Sequence, residues 1–250
     1  MSFGLSTSPP ARSDTPPLRV VRSKRVYEQI AEQIGEMIRS EHYRAGDRIP
    51  PERDLARMLE VSRPTVREAM IALEAAGLIE VRVGDGTYVR QPPATAVMPW
   101  SLGSDPGPGP LEQFQARRLI ETEIAARAAV SATSQEIREL SELVEEMARV
   151  YPGLGDFDDK LGFRFHTALA RAARNGVLAN VVEYLWTLRD SEMWRHLRRR
   201  VVTSENRRQV VIDRREIVAG LAERNPARAK AAMVALLDRA ERRYFGTDDD

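Results

Sequence analysis

Between residues 92 and 110 the chain reads PPATAVMPWSLGSDPGPGP, and this stretch limits what the whole can become. Proline lacks the backbone N–H that helices and sheet ladders use, and its ring fixes φ. Glycine interleaved with it leaves neither a helical nor a pleated run. The stretch is read as an interdomain linker, and its Val97, Met98 and Trp100 are expected to pack on a neighbouring unit. Residues 1–22 are rich in Ser, Thr and Pro and poor in apolar side chains, the composition of a disordered tail. The chain is thereby divided into a tail, a small domain over 23–91, the linker, and a larger domain over 111–246.

The small domain carries helical periodicity and then alternation. In VYEQIAEQIGEMIRS, Val26, Ile30, Ile34, Met37 and Ile38 fall on one helical face. YRAGDRIP supplies Gly and Pro as a stop. PERDLARML starts a short helix with Pro51 in its first turn and Glu52 at the positive dipole end, and Leu55, Met58 and Leu59 form its apolar edge. The next segment, VSRPTVREAMIALEAAGLIEVRVGDGTYV, puts Val66, Ala69, Met70 and Leu73 on one seam before Gly77 ends the helix. Ile79, Val81 and Val83 then alternate with Glu80 and Arg82 as in a half-buried strand. Gly84-Asp85-Gly86 turns into a return strand.

Helix, helix, helix and two-stranded ribbon is the order of a winged helix-turn-helix. Arg63, Thr65 and Arg67 stand at the start of the third helix, off its apolar seam. Free N–H groups there suit a phosphate, and arginine can read guanine through two parallel hydrogen bonds. Arg53 on the preceding helix could reach the same groove. Gly84 removes bulk from the wing tip.

After the linker six segments read as amphipathic helices, namely LEQFQARRLIETEIAARAAVSA, SQEIRELSELVEEMARV, FDDKLGFRFHTALARAA, GVLANVVEYLWTLRDSEMW, VIDRREIVAGLAER and PARAKAAMVALLDRAERRYF. The expected fold is thus mostly α with a small β wing: an N-terminal winged helix-turn-helix followed by an all-α bundle of six or seven helices.

Composition excludes more than it selects. A formal charge of +1, from 38 basic and 37 acidic side chains, means that any basic surface comes from local arrangement. With no cysteine, disulfides and thiolate metal sites are ruled out. MSFGLSTSPPARSDTPPLRV has no apolar core of a signal peptide, and no apolar run reaches the ~18 residues of a membrane helix. The expectation is a cytoplasmic protein without membrane contact.

The stretch RVYEQIAEQIGEMIRS through AGDRIPPERDLARMLEVSRPTVREAMIALEAAGLIEVRVGDGTYV closely resembles the DNA-binding domain of the GntR family of bacterial transcription regulators. The resemblance implies that Arg53, Ser62, Arg63, Thr65, Arg67 and Gly84 contact double-stranded operator DNA, with a homodimer on a short palindrome. Over roughly residues 111–245, ARRLIETEIAARAA, FRFHTALARAARN and RREIVAGLAERNPARAKAAM resemble the effector (FCD) domain of the FadR subgroup. Within it LWTLRDSEMW looks like regulators of hexuronate and aldonate catabolism, the UxuR/ExuR type.

Many such effector domains hold a metal on an Asp and three His, with the Asp four residues before the first His. Here His166 matches the first His, Gly162 occupies the Asp position, and Arg214 and Leu236 fall on the other two His. Asp158 and Asp159 lie ~10–12 Å from His166 along an ideal helix, and one imidazole makes a poor zinc site. No metal and no cofactor are therefore expected. Arginine can bind a carboxylate directly and bidentately. Arg117, which the resemblance makes a pocket residue, joins Arg214 and His166 in an expected cationic cradle for a small anionic metabolite. Arg189 and Trp194 are further candidates, for charge and for stacking. His166 is equally well read as a hydrogen-bonded core histidine. Trp186 and Trp194 also fit a core or interface, and RHLRRR at 195–200 reads as a solvated face.

These features fit a ligand-responsive repressor released from its operator by a hexuronate or aldonate. An acyl-CoA sensor would need a long apolar tunnel. An enzyme tethered to DNA would have to build its acid and base from Asp158, Asp159 or Glu121 with His166, since no Gly-rich phosphate loop, no G-x-S-x-G and no metal cluster is present in the sequence.

Overall fold

The computed structural model describes residues 25–82, 84–90, 107–151, 159–201 and 203–246. The tail, the linker up to residue 106 with Val97, Met98 and Trp100, and Asp158 lie outside the described residues.

The first unit is built from α1 (Val26–Arg39), α2 (Glu52–Leu59) and α3 (Arg63–Ala75) with strands β1 (Arg48–Ile49), β2 (Ile79–Arg82) and β3 (Gly86–Val89). Glu60 takes a left-handed conformation at the end of α2, φ 54°. Ser62 then caps α3, its Oγ accepting from the Thr65 N–H at 3.3 Å. A helix-turn-helix results because a left-handed stop and a hydroxyl start stand two residues apart. Tyr27, Ile30, Ile34 and Ile38 of α1 meet Val66, Ala69, Met70 and Leu73 of α3 in one core.

Four details depart from the sequence expectation. The ribbon has a third strand, and the sheet order is β1-β3-β2. In the segment read as a helix stop, Ile49 is buried and pairs with Thr87. Pro50 and Pro51 follow it and donate no N–H, which holds β1 to two residues. Pro51 is the N-cap of α2 and not part of its first turn. Val26 and Met58, placed on apolar seams, are exposed.

The second unit is all helix: α4 (Pro110–Ser131), α5 (Ser134–Val150), α6 (Lys160–Ala172), α7 (Gly176–Thr187), α8 (Glu192–Val201), α9 (Ser204–Ala222) and α10 (Pro226–Phe245). Its starts are written in local chemistry. Thr133 and Glu136 form a reciprocal capping box at α5. Asn175 and Asn225 cap α7 and α10, each just after a left-handed arginine, Arg174 and Arg224. Small side chains such as Ala125, Ala128, Ala129 and Ala170 let the helices approach closely in the main core.

One expected helix is broken. GVLANVVEYLWTLRDSEMW divides into α7, a 3-10 turn over Leu188–Asp190, and α8 after an extended Ser191. Ser191 accepts from the Trp194 N–H at 3.4 Å, so a hydroxyl starts a new helix in mid-segment. The RHLRRR stretch is consequently a solvated face only in part, at Arg195 and Arg199. Leu197 is buried, and His196 reaches Glu74 of α3 at 3.0 Å.

The two units meet along α3. Ile71, off the expected seam, is buried with Phe114 of α4, Trp194 and Leu197 of α8 and Phe245 of α10. Glu68 accepts from the Leu111 N–H at the start of α4, 3.1 Å. No helix among the described residues is long and apolar enough to cross a membrane.

Candidate functional site

Two regions gather the side chains singled out from the sequence. The first is the start of α3 with the wing. Arg53, Ser62 and Arg63 are exposed and Thr65 is half-buried. Thr65 Oγ1 lies 2.6 Å from Ser62 Oγ, so both hydroxyls are occupied in ordering the helix start. Arg67 is more constrained than its position predicts. Its Nε lies 3.3 Å from Glu52 Oε1, and its guanidinium donates to the Gly246 carbonyl at the end of α10. Gly84 has φ +74°, where a side chain is strained, and no atom stands within 4 Å of the space a Cβ would fill. It is an open, left-handed wing tip.

The second region is a cavity inside the helical unit. Arg117 of α4, His166 of α6, Arg189 of the 3-10 turn and Arg214 of α9 all line it, with Trp186 and Asp159 beside them. The first four, singled out from the sequence, are thus neighbours in the structure. Trp194 does not line the cavity. The break before α8 turns it toward α4, where its Nε1–H donates to Gln113 Oε1 at 2.8 Å. Trp186, read as core, is the tryptophan that faces the cavity. Tyr244 and Arg243 near the end of α10 and Asn206 of α9 also line it. The apolar period of α9 and α10 gave no sign of these polar positions.

Asp159, which an ideal helix would carry away from His166, returns because it is the N-cap of α6. Its Oδ1 accepts from the Gly162 N–H at 2.9 Å and the Tyr151 hydroxyl at 2.7 Å. Its Oδ2 faces Arg214 at 3.6 Å and Arg189 at 3.8 Å. A Cβ at Gly162 would meet this carboxylate, so glycine there is what admits the Asp159 cap. Burial pushes the Asp159 pKa up, but the guanidinium groups of Arg214 and Arg189 outweigh it and hold the carboxyl below its ordinary value.

A second charge group sits opposite. Arg117 Nε donates to Glu121 Oε1 at 2.6 Å, and the other Glu121 oxygen bonds His166 Nδ1. Against the cost of burial, the Arg117 charge keeps Glu121 ionised well below the usual carboxylate range. Burial pushes His166 down to about 4, with repulsion from Arg117 and Arg214 in the same direction and the Glu121 charge opposing. The imidazole is neutral near pH ~7, which removes it from the expected cationic cradle. It is the core histidine and the cavity histidine at once. Trp186 lies among these charges, with Arg189 Cζ 4.3 Å and Arg117 Cζ 4.7 Å from its ring.

The lining holds Arg117, Arg189, Arg207, Arg214 and Arg243 against Asp159 and Asp213, and Asp213 is already taken by Arg239 and Gln209. Positive charge is left over in a buried space. Several donors there have no hydrogen-bond partner among the described residues: Arg189 Nε, Arg214 Nε and Nη1, and Trp186 Nε1. Buried donors left open cost free energy, about 1–3 kcal/mol each. A small, oxygen-rich anion would satisfy them.

A metal of the kind held by an Asp and three His does not fit these residues. His166 is the one imidazole among the described lining residues, and Arg214 and Leu236, in place of further histidines, bring a positive charge and an apolar side chain to the ligand positions. Asp159 is engaged by two arginines and a tyrosine. Among the described residues no group of three or more His, Asp or Glu could hold an ion.

Two family models match the chain: bacterial regulatory proteins, gntR family, over residues 26–89, and the FCD domain over residues 112–239. The chain is similar to the Uxu operon transcriptional regulator of Escherichia coli, 34% identical over 238 residues and 91% of both chains. The Uxu operon regulator of Haemophilus influenzae is 33% identical, over 90% of this chain and 84% of that one. The Exu regulon transcriptional regulator of Escherichia coli is 35% identical, over 93% of this chain and 90% of that one. These families and relatives are transcriptional regulators and not enzymes.

Proposed function

Because the chain belongs to the GntR family of bacterial regulatory proteins and carries an FCD domain, it is a transcription regulator, and we propose that it is a repressor released from its operator by a small sugar acid, a hexuronate or aldonate. In this reading it works in the cytoplasm as a homodimer on a palindromic site. Arg53, Ser62, Arg63, Thr65 and Arg67 read or grip the major groove, and the Gly84 wing tip lies against the adjacent backbone. Arg117, Arg189 and Arg214 hold the acid's carboxylate, with His166 beside them.

The observation that carries the reading is the excess of buried guanidinium donors without partners. Such a cavity favours a compact anion over a long apolar chain. That the relatives named above regulate the Uxu operon and the Exu regulon agrees with a sugar acid.

The same helices offer a route from ligand to DNA. Phe114 and Tyr244 line the cavity and pack on Trp194, with ring centroids 5.6 and 5.3 Å from it. Trp194 belongs to the cluster that buries Ile71 on the back of α3. A ligand that draws Arg189 and Arg214 together moves the wall to which α3 is docked. The shift available is the ligand's differential affinity for the two arrangements. The test is operator binding followed by fluorescence anisotropy during titration with hexuronates, aldonates and acyl-CoA. Release by a sugar acid is the expected result. Release by acyl-CoA alone, or indifference to every acid, would overturn the ligand class.

A further inference from the structure

Of the unpartnered polar atoms of the residues that line the cavity, one differs in kind. Arg189 Nε, Arg214 Nε and Nη1, and Trp186 Nε1 all carry hydrogens. His166 Nε2 is likewise buried without a hydrogen-bond partner among the described residues, and its character depends on the other ring nitrogen. Nδ1 faces a Glu121 oxygen. A carboxylate only accepts, and Arg117 on its other oxygen keeps it ionised, so Nδ1 carries the hydrogen. Arg117 and Arg214 line the same cavity as the imidazole, and Trp186 stacks 4.9 Å from it. A second proton on this ring would add a charge among guanidinium groups. Nε2 is therefore left with its lone pair, an acceptor on a wall of donors.

We propose that Glu121, by fixing the His166 tautomer, makes the cavity a reader of hydroxy acids: guanidinium donors take the carboxylate, a ligand hydroxyl donates to His166 Nε2, and the corresponding keto acid is rejected. A carbonyl in place of that hydroxyl sets two lone pairs against each other and leaves Nε2 unpaired. One such mismatch in a buried site lowers affinity on the order of tenfold to a hundredfold. Glu121 is a positioning residue here and touches no ligand itself. The inference rests on the reading of this cavity as the effector site.

The experiment uses the full chain and calorimetric titration with D-glucuronate, D-gluconate, 2-keto-D-gluconate and 5-keto-D-gluconate. A hydroxy acid binds, and at least one keto analogue binds about tenfold or more weakly. His166→Gln offers both a donor and an acceptor, and it brings the hydroxy-to-keto affinity ratio close to one. Glu121→Gln frees the tautomer and does the same where it folds. The ratio is the readout, because general loosening of the cavity weakens both classes together. Long-range proton–nitrogen NMR of the histidine-labelled chain, with His166 assigned by the Gln variant, shows Nε2 without a hydrogen. Equal or tighter keto-acid binding, or a hydrogen on Nε2, overturns the inference while leaving the effector site standing. Failure of every acid to bind removes the effector-site reading, and the inference with it.

Discussion

Arg214 separates charge from shape in a single side chain. It faces Asp159 at 3.6 Å, and its Nε and Nη1 find no partner among the described residues. A lysine there would still neutralise Asp159 but would lose the planar fork that meets a carboxylate with two parallel bonds. Arg214→Lys should therefore fold, and bind a sugar acid at least about tenfold more weakly, since hydrogen bonds to charged groups contribute roughly 1.5–3 kcal/mol. Its ligand-free operator affinity should match the parent. Calorimetry and anisotropy check the two halves, and undiminished acid binding would mean that charge alone suffices. Arg214, His166 and Arg117 were legible because a resemblance placed them. Asp159 was not, because spacing along an ideal helix says nothing of a residue that caps it. The two tryptophans exchanged roles for a local reason, the Ser191 start of α8.

At the scale of elements α3 has two buried faces, and only one was visible in the sequence. The seam of Val66, Ala69, Met70 and Leu73 repeats at helical spacing and reports the core of its own unit. The other face, Glu68 and Ile71, is buried by α4, α8 and α10. A single carboxylate and a single isoleucine leave no period to read. Glu68 gives this second face a pH signature. Burial pushes its pKa up to about 7, partly offset by the Leu111 N–H that it accepts. The folded state thus holds a proton that the unfolded chain has released above its ordinary carboxylate pKa. Stability falls as pH rises through the interval between the two values and stays lower above it. Glu68→Gln keeps the acceptor for Leu111 and has no charge to bury. It should match the parent near pH ~5 and exceed it near pH ~8, by on the order of 1–3 kcal/mol. Denaturant unfolding at both values checks this. A gap that does not widen with pH would show that Glu68 ionises freely.

Over the whole molecule, the ligand cavity and the DNA-reading helix of the proposed function communicate through what lies between them, which includes a small cluster. Ile71 joins Phe114, Trp194, Leu197 and Phe245, and α3 is also tied to the end of α10 through Arg67 and the Gly246 carbonyl. The same Arg67 is wanted by operator DNA in the proposed reading, so docking to α10 and gripping the groove draw on one side chain. If the cluster transmits the ligand signal, trimming it should weaken the coupling without abolishing either binding event. Ile71→Val removes one methylene from the contact at a stability cost of about 0.5–1.5 kcal/mol. Ile71 itself neither lines the cavity nor belongs to the exposed start of α3. The ratio of operator dissociation constants with and without saturating sugar acid should shrink severalfold toward one, a fraction of the roughly 1–3 kcal/mol typical of coupled sites. Operator affinity without ligand and acid affinity without DNA should both remain within about twofold of the parent, a margin of roughly 0.4 kcal/mol. An undiminished ratio would place the coupling elsewhere, at the Glu68 cap of α4 or at the Glu74–His196 contact of α8.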